Sequence, residues 1–224
     1  IGAYGVELAD IFVSLRAVEI ATGKLCHFNK AACQFAYRDS LFKHAARDHY
    51  IIVDISLRLT TNPAVNMDYP ALVAAAAEAG LSSDLTPQAV SQLVCQIRRQ
   101  KLPDPQVTPN AGSFFKNPVV ADSTAAELLK LYPQMPVYPQ PNQRAKIAAA
   151  WLIDYCGFKG VRRGYLGVHQ HQALVLVNYP VKGEGGGTGQ QLLELAEELR
   201  RAVQQRFSIS LEIEPRVYGL AVDG

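Results

Sequence analysis

The chain has little of what marks a specialised partner. Its 224 residues include four cysteines, two methionines and one tryptophan, and the formal charge is only +2. Cys26, Cys33, Cys95 and Cys156 contain no Cys-x-x-Cys pair and are too few for a disulfide framework at this length, so they read as reduced, mostly buried thiols. Near-neutral charge with dispersed Lys and Arg argues against nucleic acid as a partner. No run approaches the roughly 20 apolar residues that span a bilayer, and no secretory leader pattern opens the chain. No membrane association and a cytoplasmic location are therefore expected. A dinucleotide fingerprint is also missing. In Gly183-Glu184-Gly185-Gly186-Gly187-Thr188-Gly189, a GxGxxG starting at Gly183 meets Thr188 and one starting at Gly185 meets Gln190, so the stretch reads as a flexible surface connection.

What is present is apolar material: 49% of residues are hydrophobic and 19% charged, enough for one large core or two modest ones. Residues 11–20 are rich in β-branched types and run into Ala21-Thr22-Gly23-Lys24, which predicts a hairpin returning through Leu25 to Phe28. Asn29 is placed to cap a short helix through Cys33, and residues 50–59 alternate as a strand. Two helices follow, one over 69–79 stopped by Gly80 and one opened by Thr86 with Val90, Leu93, Val94 and Ile97 at helical spacing. The Pro-bearing run 102–109 cannot continue a helix and sets a domain boundary near Lys101, giving domains 1–101 and 102–224. Arg98, Arg99 and Lys101 make a basic helix end, suited to a small anion or to the helix dipole alone. Beyond it, 124–131 and 144–155 read as helices, 173–177 as a buried strand and 190–206 as an amphipathic helix. A closing strand over 207–214 then turns Phe207, Ile209, Leu211 and Ile213 to one face and Ser208, Ser210, Glu212 and Glu214 to the other.

The residues that could carry chemistry concentrate in Asn110-Ala111-Gly112-Ser113-Phe114-Phe115-Lys116-Asn117-Pro118. This reads as a tight turn that gathers a hydroxyl, an amine and an amide and is anchored in a core by two aromatics. A plain structural turn is the alternative. His169 and His171, read at i, i+2 on one strand face, lack a third ligand, so no metal is expected.

Read together, Tyr37-Arg38-Asp39-Ser40, Lys101-Leu102-Pro103-Asp104-Pro105, the Asn110–Pro118 stretch and Leu211-Glu212-Ile213-Glu214-Pro215-Arg216 resemble the UDP-N-acetylenolpyruvoylglucosamine reductase family. The resemblance runs from Ile1 to about Gly219, and Tyr69 in Met67-Asp68-Tyr69-Pro70 marks the longer, Tyr-loop type. It implies an α+β chain made of the later part of a PCMH-type FAD-binding domain and a mixed α/β substrate domain. It also implies an incomplete N-terminus, because the family places this opening segment well after its own start. The implied reaction is NADPH-dependent, FAD-mediated reduction of UDP-N-acetylenolpyruvoylglucosamine to UDP-N-acetylmuramate by a monomer, in peptidoglycan precursor synthesis.

The resemblance assigns roles residue by residue. Arg38 would hold the substrate carboxylate, for which a planar, permanently charged guanidinium is suited; an ordinary salt bridge to Asp39 or another acid is its structural alternative. Ser113 would donate the proton and Glu214 would polarise the substrate. Because Pro215 follows Glu214 where the family more often has Pro before it, Glu212 stays a second candidate. Lys101, Asn117 and Gln172 would contact the diphosphate and sugar, and Tyr69 would close over the nucleotide on a loop that Pro70 stiffens. Gly2, Ala3, Tyr4 and Gly5 would lie along the FAD. A UDP-sugar-binding module without turnover, or another flavin oxidoreductase on the same scaffold, are the alternatives from the residues alone.

Overall fold

Turn chemistry builds the hairpin of the first half of the chain as the sequence suggests, and residues 50–57 form the expected strand although their burial does not alternate. The computed structural model describes residues 2–62, 64–81, 85–181, 183 and 185–219. Two compact units emerge, Ile1–Ile97 and Arg98–Gly224.

In the first unit, β1 (Gly2–Ala3) and β2 (Val6–Glu7) form a miniature hairpin, followed by the single-turn helix α1 (Leu8–Ile11). Both hairpin loop residues have positive φ, Tyr4 at 53° and Gly5 at 81°, as a two-residue turn matching strand twist requires. A Cβ on Gly2 would meet only the carboxylate end of the exposed Glu7 side chain, which would have to shift aside. The expected hairpin is β3 (Phe12–Glu19) with β4 (Leu25–Asn29), antiparallel from Ser14↔Asn29 to Val18↔Leu25. Asn29 then caps α2 (Lys30–Cys33), its Oδ1 accepting the Ala32 amide at 2.8 Å. Next comes a 3-10 turn, Leu41–Lys43.

The strand β5 (Tyr50–Leu57) lies on the other side of β3, giving the order β4-β3-β5. Phe12, Leu15, Ala17 and Cys33 form a small core, with Phe28, Phe35, Phe42 and Tyr50 packed on it edge to face. The helices α3 (Pro70–Glu78) and α4 (Pro87–Lys101) bury Leu72, Ala76, Leu93 and Ile97 in a second cluster. Of the thiols only Cys33 is buried; Cys26 and Cys156 are partly covered and Cys95 is exposed, because its position on α4 lies off the Leu93–Ile97 stripe. The expectation of mostly buried thiols therefore fails. Burial pushes the Cys33 and Cys156 thiols up, which keeps them protonated.

The second unit is built on β6 (Asn110–Ser113), β7 (Val119–Ala121), α5 (Asp122–Leu131), β8 (Val137–Gln140), β9 (Arg144–Ile147), α6 (Ala149–Tyr155), β10 (Arg162–Arg163), β11 (Leu166–Val168), β12 (Val175–Asn178) and α7 (Gly189–Phe207). Two antiparallel sheets, β10-β11-β12-β6 and β7-β9-β8, share one core centred on Leu152, Ile153, Leu176, Leu199, Val203 and Leu211.

Four expectations change here. Residues 144–155 are not one helix: Ala145 and Ile147 bury alternately in β9, and the helix starts only at Ala149. The Asn110–Ser113 stretch is a bulged strand paired to β12, not a tight turn, since the β12 edge supplies the ladder its composition does not suggest. Phe207 ends α7, and 209–214 is extended with a single bridge, Phe115↔Ile213, although the inward and outward alternation of Ile209, Leu211, Glu212 and Ser210 is as read. The glycine-rich connection is pinned rather than loose at Gly187, whose amide donates to Asn178 Oδ1 at 3.0 Å and whose carbonyl accepts from Asn178 Nδ2 at 2.9 Å. Its Lys182 and Glu184 lie outside the described residues.

Candidate active site

In the first unit the small hairpin is the focus. Arg38 sits at φ 54°, the left-handed region that non-glycine residues rarely occupy, in a turn closed by reciprocal Ala36 and Asp39 backbone bonds of 3.1 and 3.0 Å. Its Nη2 donates to the Gly2 carbonyl at 2.9 Å, and its Nη1 lies 4.0 Å from Glu7 Oε1. The guanidinium is also 5.2 Å from the centre of the Tyr37 ring. Glu7 is thus an acid partner of the kind the alternative reading named, and in the same turn Asp39 Oδ2 pairs with His44 Nε2 at 2.7 Å while its Oδ1 accepts the Ser40 amide at 2.8 Å.

Tyr69 stands at the N-terminus of α3, with Pro70 at the first helical position where a missing N–H costs nothing. Its ring meets Tyr4 edge to face at 5.0 Å. Asn66, which sequence reasoning missed, ties the same segment to the hairpin by donating to the Gly5 carbonyl at 3.3 Å while its Oδ1 caps the Asp68 amide at 2.8 Å. Gly2, Ala3, Tyr4, Gly5, Arg38 and Tyr69 therefore form one neighbourhood; the Asn-x-Asp turn before Tyr69 was the available signal for Asn66.

In the second unit, Leu166, Val168, Leu174 and Leu176 point into the core, so Val175 faces the opposite side of the sheet. Ser113 is the cross-strand partner of Val175 and shares that face, exposed. The Phe114 carbonyl accepts the Glu214 amide at 2.9 Å and Phe115 bridges Ile213, so Glu214 lies across from Phe114, the residue that follows Ser113. Glu214 is half-buried, whereas Glu212 is exposed and ion-paired with Lys116, whose own side chain is largely covered.

The remaining candidates are placed less centrally. The Asn117 Oδ1 accepts the Ala149 amide at 2.9 Å, capping α6, so this amide has a structural duty whatever else it does. The Gln172 Oε1 accepts the Leu174 amide at 3.4 Å in the β11–β12 connection, next to the Leu174 carbonyl that receives the Phe114 amide at 2.7 Å. Lys101 ends α4, exposed, beside Arg98 and Arg99, whose positive charge complements the helix C-terminus. A concavity of about 450 Å³ opens there, lined by Arg98, Arg99, Pro103, Asp104, Asn110 and Gly112. Asn110 shapes it by donating to the Thr108 carbonyl at 2.8 Å while its Oδ1 holds the Gly112 amide at 2.9 Å. His169 and His171 lie after β11 rather than on a strand face, with His169 Nδ1 accepting the His171 amide at 3.4 Å. Burial, reinforced by the neighbouring His171, lowers the His169 pKa. Among the described residues no group of three or more His, Cys, Asp or Glu could hold a metal ion.

Comparison with known proteins gives this arrangement a context. The family described as UDP-N-acetylenolpyruvoylglucosamine reductase, C-terminal domain, matches residues 104–218. The UDP-N-acetylenolpyruvoylglucosamine reductase of Pseudomonas aeruginosa is 48% identical over 97% of this chain and 62% of its own length. That of Paraburkholderia phymatum is 47% identical over 96% and 61%, and that of Amoebophilus asiaticus 45% over 97% and 62%. The chain thus spans about three fifths of the length of these curated relatives. The crystal structure of UDP-N-acetylenolpyruvylglucosamine reductase from Thermus caldophilus aligns with a TM-score of 0.56 at 20% identity, over 98% of this chain and 57% of that one, a likeness of fold.

Proposed function

The chain belongs to the UDP-N-acetylenolpyruvoylglucosamine reductase family, and from that membership we propose that it is part of an enzyme reducing the enolpyruvyl group of UDP-N-acetylenolpyruvoylglucosamine to give UDP-N-acetylmuramate, with NADPH and FAD, in cytoplasmic peptidoglycan precursor synthesis. The first unit is the later part of a PCMH-type FAD-binding domain and the second is the substrate domain, in a monomer. The observation that carries the reading is the pairing that puts Glu214 across from Phe114, next in sequence to Ser113, in a chain whose relatives bear this reductase's name.

The residues present fit the rim of a flavin. The β1–β2 hairpin offers backbone donors and acceptors, Gly2 presents no side chain, and the tight Tyr4-Gly5 turn keeps the edge narrow. Gly2, Ala3, Tyr4 and Gly5 would hold it. When bound, FAD supplies the hydride that the enolpyruvyl double bond accepts.

The chain's own residues handle charge and proton. Arg38 receives the substrate carboxylate and offsets the negative charge that grows beside it. The Ser113 Oγ–H gives its proton to the carbon next to that carboxylate; a hydroxyl suffices because an enolate carbon is a strong base. Glu214 polarises the same group, while Lys101, Asn117 and Gln172 hold the diphosphate and sugar and Tyr69 covers the nucleotide.

The test compares NADPH oxidation, with FAD and the enolpyruvyl UDP-sugar added, for residues 1–224 and for the chain extended upstream to the length of its relatives. Turnover by the longer form that depends on the UDP-sugar, and its loss in Ser113→Ala with flavin reduction by NADPH intact, is the expected result. Oxidation indifferent to the UDP-sugar would point to another flavin oxidoreductase. Inactivity of both forms with retained UDP-sugar affinity would leave a binding module.

A further inference from the structure

Arg38 is held in an uncommon backbone conformation, and the contacts that hold it are not contacts to substrate-binding residues. Its carbonyl accepts from Lys43 Nζ at 2.8 Å. The next residue, Asp39, is fixed on both carboxylate oxygens, by the Ser40 amide at 2.8 Å and by His44 Nε2 at 2.7 Å. Lys43 and His44 directly follow Phe42, whose ring packs edge to face on Phe28 of β4 at 5.3 Å and on Tyr50 of β5 at 6.3 Å. The 3-10 turn that carries both side chains is thus nailed to the sheet by Phe42, with the Lys43 and His44 amides bonded back to Ser40 and Leu41 at 3.0 and 3.1 Å.

We propose that Lys43, Asp39 and His44 form a brace, rooted in the sheet through Phe42, that keeps Arg38 at positive φ with its guanidinium on the Gly2 carbonyl, which makes them positioning residues for the carboxylate of the UDP-sugar. A guanidinium binds a carboxylate bidentately only from a fixed direction. An arginine free to relax toward ordinary helical or extended backbone would swing that fork away. The exposed Lys43 and His44 bury little, so their duty is directional rather than a matter of core stability.

The inference rests on the proposed reductase reading, and a binding experiment separates the two. Calorimetry on the chain extended to its relatives' length measures affinity for the enolpyruvyl UDP-sugar and for the same UDP-sugar without its enolpyruvyl group. Lys43→Met and His44→Gln should each weaken the carboxylate-bearing ligand, roughly tenfold for Lys43→Met, and leave the other ligand within about twofold. Lys43→Arg should restore most of the loss, and Lys43→Met added to Arg38→Ala should weaken binding no further than Arg38→Ala alone. Equal weakening of both ligands, no weakening, or full additivity with Arg38→Ala would overturn the brace. If Arg38→Ala itself leaves the two affinities in their original ratio, the role of Arg38 fails, and the brace's role fails with it.

Discussion

The two units of the chain solve stability in different ways. The second closes two sheets and three helices over one core in which Leu152, Ile153, Leu199 and Val203 are wholly buried. The first divides a smaller apolar supply, among the described residues, between two clusters of four buried residues each, and its edge strand β5 leaves Ile51 61% and Val53 56% exposed. Its candidate residues are held by local polar bonds: Arg38 on Gly2, Asn66 on Gly5, Lys43 on Arg38. The lesson is that substitutions should be felt as lost stability in the second unit and as lost direction in the first.

The largest test of that contrast is truncation of the second core. Leu199→Ala removes a side chain with no solvent exposure and should cost about 2–5 kcal/mol in denaturant unfolding. Ile51→Thr on β5 should shift stability by no more than about 0.5 kcal/mol. Equal losses would mean that the first unit's exposed strand is as tightly packed as the second unit's helix, and the comparison would fall.

A smaller effect sharpens the picture within one loop. A Cβ on Gly187 would stand 2.5 Å from Leu166 Cγ, and Leu166 is buried, so Gly187→Ala should destabilise by about 1–3 kcal/mol. Two residues on, Gly189 opens α7, has nothing within 4 Å and has no positive φ, so Gly189→Ala should stabilise by roughly 0.5 kcal/mol. Thermal midpoints of the two variants should move in opposite directions. Asn117→Ala lies in between: loss of the α6 cap should cost about 1 kcal/mol. A change in UDP-sugar affinity beyond that cost would show that its amide also reaches the ligand.

How much of this was legible varies residue by residue. The β3–β4 hairpin, the Asn29 cap and the face of α4 marked by Leu93 and Ile97 follow from local chemistry, and local chemistry decided them. Residues 144–147 carry the helix formers Arg, Ala and Lys, but Ala145 and Ile147 bury on one side because β7 and β8 flank them, a tertiary pairing that no short window shows. The same holds for Asn110–Ser113, where four residues without a β-branched side chain become a strand because β12 offers its edge. Of the candidate site, Arg38, Ser113 and Glu214 were named by motif. The hydrogen bond from Arg38 to Gly2, the capping duty of Asn117 and the involvement of Asn66 were not, since each depends on chain segments distant in sequence.

The smallest expected effect is on acid sensitivity, and it too separates the units. In the first, the Arg16 guanidinium donates to the Asp54 carboxylate and holds its pKa below 3.8, so the ionised carboxylate contributes stability that is complete above that value and fades only as pH falls through the lower, folded-state value. In the second, burial and then His171 push His169 below 6.5. The unfolded chain therefore takes up this proton first as pH drops, so the second unit keeps its full His169 contribution above 6.5 and loses it as pH falls through the depressed value. Acid should reach the second unit, despite its larger core, at a higher pH than it reaches the Arg16–Asp54 pair of the first. His169→Gln removes the titrating group, so unfolding free energies measured from pH 7.5 downward should flatten for this variant just below 6.5. A slope there identical to the parent's would assign the acid response to another histidine, and Arg16→Met should change the curve only near and below 3.8.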